Sequence, residues 1–222
     1  MKLGFIGFGE AGSAIARGFH GAELFSFDIK DDARIRDAAR EAQVTLVHGS
    51  RELARSAGIL TSTVTADQAE TAARQTVPFL GAGHFYADLN SVSPALKQRI
   101  AALIEPTGAR FVEGAIMAPV AKLGHRVPIL LGGPDAAEFA SLLAPLGMSL
   151  DVVSTQVGAA AAIKMFRSIL VKGLEALMLE CVLAAGPYGA AERVFASLGV
   201  RLDQVLSGPS ECRFDSAPVR VG

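Results

Sequence analysis

The stretch Lys2-Leu3-Gly4-Phe5-Ile6-Gly7-Phe8-Gly9-Glu10-Ala11-Gly12 decides the fold. A short, mostly apolar run enters a G-x-G-x-x-G turn made by Gly7, Gly9 and Gly12, and a helix-forming segment follows. Alone the pattern is weak; between a strand and a helix it marks a turn that receives the pyrophosphate of a dinucleotide. Gly7 permits the tight turn, Gly9 has no side chain to block the phosphates, and Gly12 lets the helix pack close to the strand. The helix start, with Phe8, Glu10 and Ala11 around it, offers unpaired N–H groups and the positive end of a dipole. Asp28 ends the next candidate strand, Leu24-Phe25-Ser26-Phe27-Asp28. An acid there accepts hydrogen bonds from the adenine ribose and repels a 2′-phosphate. The expected cofactor is therefore NAD, with NADP left open by Lys30.

Outward from this turn, apolar runs alternate with amphipathic, Ala-rich segments. Strand candidates are Lys2–Ile6, Leu24–Asp28, Ile59–Thr63 and His84–Asp88, and helix candidates are Ala11–Gly18, Asp32–Glu41, Asp67–Thr76 and Ala95–Ala102. Such alternation implies βαβ crossovers and a parallel sheet with helices on both faces. The expected class is α/β, a Rossmann-type doubly wound sheet followed by a short all-helical C-terminal part. Phe111–Met117 and Val127–Leu131 read as further strands, and Asp135–Leu146 as a helix capped by Gly147. Val157 opens a helical run of about thirty residues, long for a globular domain, with Gly158 and Gly173 inside it and Pro187 closing or kinking it. The expected division is a dinucleotide-binding domain over 1–156 and a helical substrate or dimerisation part over 157–222, irregular beyond residue 200.

The 222 residues carry 21 Lys and Arg against 22 Asp and Glu, and no basic block stands out. Nucleic acid is thereby disfavoured as a partner, because phosphate backbones need a concentrated positive face. The two cysteines, Cys181 and Cys212, have no metal-ligand spacing and form no disulfide framework, so a reducing, cytoplasmic setting without a metal is expected. The first residues are too short an apolar run for a secretory signal. The longest apolar stretch, Val157–Ala185, holds Lys164, Arg167, Lys172, Glu175 and Glu180, too many charges for a membrane span.

Four segments together resemble the β-hydroxyacid dehydrogenase family, which includes 3-hydroxyisobutyrate and 6-phosphogluconate dehydrogenases. They are the N-terminal glycine turn, Ala87-Asp88-Leu89-Asn90-Ser91-Val92-Ser93-Pro94, Phe111–Met117 with Pro128–Gly133, and Gly158-Ala159-Ala160-Ala161-Ala162-Ile163-Lys164. The resemblance covers about residues 1–185, and around Lys164–Leu177 it is nearest a phosphogluconate-dehydrogenase-like branch whose C-terminal domain is uncharacterised. It implies oxidation of a β-hydroxy acid or related polyol acid, with Lys164 as the catalytic residue. A lysine partly desolvated on an apolar helix has a lowered pKa and can take up a hydroxyl proton. Asn90 and Ser91 then belong to the substrate site, and Thr63 and Val64 to the cofactor loop after the strand that starts at Ile59. Ser93-Pro94 reads as an ordinary helix cap and first helical residue.

Several positions depart from the family pattern. Met117-Ala118-Pro119 stands where the family carries Ser-Gly-Gly, a weaker grip for a carboxylate, and Ser168 replaces an Asn. Arg167, one turn from Lys164, can bind a carboxylate or phosphate bidentately. Val171 replaces the acid of the sugar-phosphate enzymes, which argues against 6-phosphogluconate as the substrate. Imine reduction on the same architecture is one alternative; a dinucleotide-binding protein without turnover is another. The long helix with its apolar face implies a homodimer. The few residues after it suggest a shortened or divergent family member.

Overall fold

The computed structural model describes residues Met1–Gly199; the expected irregular tail and Cys212 lie outside the described residues. The chain divides into two compact units, Met1–Lys164 and a second beginning at Met165.

The first unit is an eight-stranded sheet in the order β3-β2-β1-β4-β5-β6-β7-β8. Its strands are β1 (Lys2–Ile6), β2 (Glu23–Phe27), β3 (Thr45–Leu46), β4 (Ile59–Ser62), β5 (Phe85–Asp88), β6 (Arg110–Ile116), β7 (Ile129–Gly132) and β8 (Leu150–Ser154). The first six pair in parallel in the doubly wound order 3-2-1-4-5-6, so the class expected from the sequence is the one observed. β7 reverses: the twelve-residue segment 117–128 returns the chain beside β6, and the pair is antiparallel. β8 then pairs parallel to β7.

Period-two alternation builds the two faces. Leu3 and Phe5 of β1 point into one core with Ile15, Ala16 and Phe19 around α1 (Glu10–Ala16), Ile35 and Ala39 of α2 (Ala33–Glu41) and Phe139 and Leu143 of α7 (Ala136–Leu143). Ile6 of β1 points into the other, with Leu53 of α3 (Ser50–Ser56), Ala69, Ala72 and Ala73 of α4 (Ala69–Thr76) and Ile100 and Ile104 of α5 (Pro94–Ile104). Each fully buried Phe, Leu or Ile contributes about 1.5–3 kcal/mol. Gly4 is required by this packing: a Cβ there would lie 2.7 Å from Leu60 Cδ2 of β4 and 3.1 Å from Leu53 Cδ1 of α3, so α3 packs close against β1.

Boundaries follow local chemistry. The Asp32 carboxylate accepts the Ile35 N–H at 2.9 Å and starts α2, and the Ser93 hydroxyl accepts the Leu96 N–H at 3.3 Å ahead of Pro94. β3, α3 and β8 were not anticipated. β3 is two residues long, and β8 (Leu-Asp-Val-Val-Ser) tolerates a charge at its second residue, Asp151, because it is the exposed edge. The helix expected over Asp135–Leu146 stops at Leu143 and tightens into a 3₁₀ turn, with Gly147 left-handed at φ +76° as its stop.

After β6 the chain forms the single-turn α6 (Val120–Leu123), and His125 seats against Gly18 behind α1, where any Cβ would collide with its imidazole. The His125 ring meets Phe19 edge-on at 5.8 Å, and burial lowers its pKa.

The long helix is α8 (Ala159–Ala185), and the boundary between the two units falls within it, after Lys164. Gly158, expected inside the helix, stands before it at φ +105°, a turn conformation no interior helical residue adopts. Pro187 lies in a 3₁₀ turn after α8, Gly189 follows at φ +60°, and α9 (Ala191–Ser197) adds a short helix. In the second unit Phe166, Ile169, Leu170, Leu174, Leu177 and Leu183 along α8 are exposed. No helix of the described residues is long and apolar enough to cross a membrane.

Candidate active site

Because β1, β4 and β5 are adjacent and parallel, their C-terminal ends bring three loops to one edge of the sheet, at the reversal of strand order where open α/β sheets bind ligands. The first loop is the glycine turn. Gly7 sits at φ +84°, and a Cβ there would meet Val64 Cγ1 at 2.7 Å. Thr63 Oγ1 donates to the Gly7 carbonyl at 2.7 Å, fastening the β4 loop to the turn. A Cβ at Gly12 would meet that same Thr63 oxygen at 2.6 Å and the Gly7 carbonyl at 2.7 Å, so Gly12 is needed for helix against strand. Gly9 differs: a Cβ there has nothing within 4 Å. The protein itself leaves that space empty, in front of the first turn of α1. Gly9 provides no side-chain cap, and Ser13 is the residue whose N–H closes on the Gly9 carbonyl at 3.0 Å. The N–H groups of Glu10, Ala11 and Gly12 precede that bond and remain for a ligand.

Asp28 does more than the sequence suggested. Its Oδ2 accepts the Phe8 N–H at 2.6 Å and its Oδ1 the Lys30 N–H at 2.8 Å, so the carboxylate braces the glycine turn as well as facing the groove. Phe8 accordingly offers the site no free N–H, and its side chain is buried against Phe5. Beside Asp28 opens a groove of about 440 Å³ lined by Phe27, Ile29, Lys30, Ile35, Val47 and His48, half apolar and half polar as an adenosine requires. The dinucleotide therefore fits: the open space at Gly9 and the unpaired N–H groups of α1 suit its phosphates, and the groove at Asp28 suits its adenosine.

The third loop holds Asn90 and Ser91. Asn90 is buried, and its Nδ2 donates to Ser62 Oγ at 2.9 Å while its backbone N–H reaches Asp88 Oδ1 at 2.8 Å. It props the loop from within. Ser91 is exposed, and the Lys164 Nζ donates to its Oγ at 2.7 Å. Lys164 is half-buried; desolvation lowers its pKa, and the nearby positive charge of Lys97 lowers it further. An amine whose pKa is lowered in this way is neutral more of the time than an exposed lysine, and so better able to take up a proton.

Met117 stands after β6, and its N–H is taken by the Pro128 carbonyl at 2.9 Å, continuing the hairpin. Ala118 and Val120 pack on the core, so this segment presents few donors to a substrate. Arg167 (exposed) and Ser168 (half-buried) lie further along α8 in the second unit.

Beneath the loops lies a buried polar layer that the sequence reading missed. Lys97 is 1% exposed; its Nζ donates to the Asp88 carbonyl at 2.6 Å and the Gly114 carbonyl at 3.1 Å and lies 3.3 Å from Asp88 Oδ1. Burial pushes the Lys97 pKa down, against the attraction of Asp88 and Glu113. Its spacing was a visible sign: Lys97 shares the helix face of Ile100, Ala101 and Ile104, all buried. Glu113 likewise interrupts the apolar β6.

A model of the NAD binding domain of 6-phosphogluconate dehydrogenase matches residues 2–158. The chain belongs to that family. A conserved hypothetical protein of Sinorhizobium meliloti is 35% identical, with a TM-score of 0.79 over 95% of this chain and 71% of that one. A second solved protein of unknown function, described as structurally similar to 3-hydroxyacid dehydrogenases, is 32% identical, with a TM-score of 0.80 over 89% of this chain and 75% of that one. Human mitochondrial 3-hydroxyisobutyrate dehydrogenase is 27% identical over 207 residues, 90% of this chain. The chain spans 57% of that enzyme's length. Membership makes residues 2–158 an NAD(P)-binding domain, and the fold that of the dehydrogenase-like oxidoreductases.

Proposed function

We propose that the protein is an NAD(P)-dependent dehydrogenase that oxidises a β-hydroxy acid or related polyol acid, with Lys164 as general base. The observation that carries this reading is the 2.7 Å bond from Lys164 Nζ to Ser91 Oγ, at the sheet edge where the cofactor loops end. When bound, the dinucleotide supplies the acceptor for a hydride. Lys164, neutral and oriented by donating to Ser91, receives the substrate hydroxyl proton on Nζ. Its ammonium form returns that proton in the reverse direction. The Ser91 hydroxyl hydrogen remains free to donate to a substrate carboxylate. Asp28 favours NAD over NADP, because a 2′-phosphate would meet its charge.

The exposed apolar residues of α8 support assembly as a homodimer, working in the cytoplasm, in which a second copy covers Phe166, Ile169 and Leu170. Sedimentation at several concentrations tests this; a monomer throughout would refute it. For the chemistry, a panel of hydroxy acids, sugar acids and cyclic imines is followed by nicotinamide absorbance with the parent protein and Lys164→Ala. A hydroxy-acid substrate whose turnover falls at least about 10²-fold in the variant is expected. Undiminished turnover in Lys164→Ala would remove the base assignment, and turnover of imines alone would replace the reaction class.

A further inference from the structure

A carboxylate in the middle of an apolar strand has to be held by something, and the partner of Glu113 is the helix that carries Lys164. Glu113 is fully buried on β6, in register with Asp88 of β5 on one side and Gly132 of β7 on the other. Its Oε1 accepts the Ala160 N–H, in the first turn of α8, at 2.8 Å. The N–H groups of Gly158 and Ala161 also face the carboxylate. Gly132 makes the room, since a Cβ there would lie 2.4 Å from Oε1. Gly158 brings the chain round at φ +105°, and Gln98 Nε2 holds the Val157 carbonyl at 3.1 Å. The charged groups around Glu113 are Lys97 from α5 and Asp88 from β5. The start of a helix leaves several N–H groups unpaired, and a carboxylate is their favoured partner. Lys164 follows Ala160 by four residues, one turn along the same helix face.

We propose that Glu113 is a positioning residue for Lys164: by holding the Ala160 N–H it sets the rotation and axial position of the first turns of α8, so that Nζ meets Ser91 Oγ. The proposal rests on Lys164 acting as the base. Without the acceptor, the first turn loosens, Lys164 becomes more solvated, and its alignment with Ser91 is lost. A displacement of about 1 Å at a reacting group costs on the order of 10²-fold in rate.

Three variants test this: Glu113→Ala, which leaves a cavity, Glu113→Met, which fills the space without an acceptor, and Glu113→Gln, which keeps an oxygen for the Ala160 N–H. The primary readout needs no substrate: the pH midpoint at which Lys164 reacts with trinitrobenzenesulfonate, read by peptide mass spectrometry. In Ala and Met the midpoint rises toward that of an exposed lysine, kcat falls roughly 10²-fold, and NADH binding stays within about twofold of the parent. Glu113→Gln returns most of both. A folded Glu113→Met protein with the parent labelling midpoint overturns the proposal. Undiminished turnover in Lys164→Ala would sink the base assignment separately, and the labelling midpoint would still decide whether Glu113 holds Lys164.

Discussion

A methyl group placed at Gly9 or at Gly12 separates what the glycine turn does for the ligand from what it does for the fold. At Gly9 the backbone has φ −71° and ψ −156°, which alanine adopts freely, and the added Cβ meets no protein atom within 4 Å. The fold loses only helix-cap quality, about 0.5–1 kcal/mol for alanine against glycine. At roughly 2–4 °C per kcal/mol for a chain of this size, the melting temperature drops by no more than about 4 °C. The same methyl enters the space that we propose for the pyrophosphate. Forcing a methyl into occupied space costs about 1–3 kcal/mol, a roughly 5- to 150-fold weaker Kd for NADH. Gly12→Ala is the opposite case, since its Cβ would lie 2.6 Å from Thr63 Oγ1 and 2.7 Å from the Gly7 carbonyl. There the overpacking falls on the fold itself, lowering the melting temperature by roughly 2–12 °C, with the gain in helix propensity offsetting about 1 kcal/mol at most. Thermal unfolding and NADH fluorescence titration of both variants measure the two effects. Parent-like NADH affinity in Gly9→Ala would refute the placement of the pyrophosphate.

Asp28→Ala leaves the Phe8 N–H without its acceptor, an unsatisfied donor costing about 1–3 kcal/mol; the melting temperature falls, and paired titrations show NADH affinity dropping more than NADPH affinity. A variant that keeps its full preference for NADH would exclude Asp28 from the ribose site. Lys97→Met strands the buried Asp88 carboxylate, and a broken buried pair costs about 3–5 kcal/mol, visible as a large loss of thermal stability; parent-like melting would contradict the ion pair. The pKa of Lys164 lies below its ordinary 10.5, and with Lys164 as the proposed base oxidation requires the neutral amine. The rate of oxidation therefore rises with pH through a midpoint under 10.5, whereas reduction, which requires the ammonium, falls through the same window. Oxidation that falls with pH through this window, or reduction that rises, would reject Lys164 as the proton carrier.

Much of the fold was legible because its determinants are local. The strand Lys2–Ile6, the glycine turn, the Ser93 cap and the alternation of apolar runs each act within a few residues, and each stands where the sequence placed it. The cofactor and the family were legible for the same reason, since Gly7, Gly9 and Gly12 act through backbone conformation and the absence of a side chain. β3 and β8 were not, because a two-residue strand and an edge strand owe their existence to a neighbour's hydrogen bonds rather than to their own pattern. Nor could the sequence say that Asp28 braces Phe8, that Asn90 is buried on Ser62, or that Glu113 lies under the start of α8. Each of these joins residues at least twenty positions apart, and the free energy of such a bond depends on burial, which only the packed sheet and helices provide. The glycine turn and Lys164 were determined by the sequence; what surrounds, braces and desolvates them was decided by the tertiary structure.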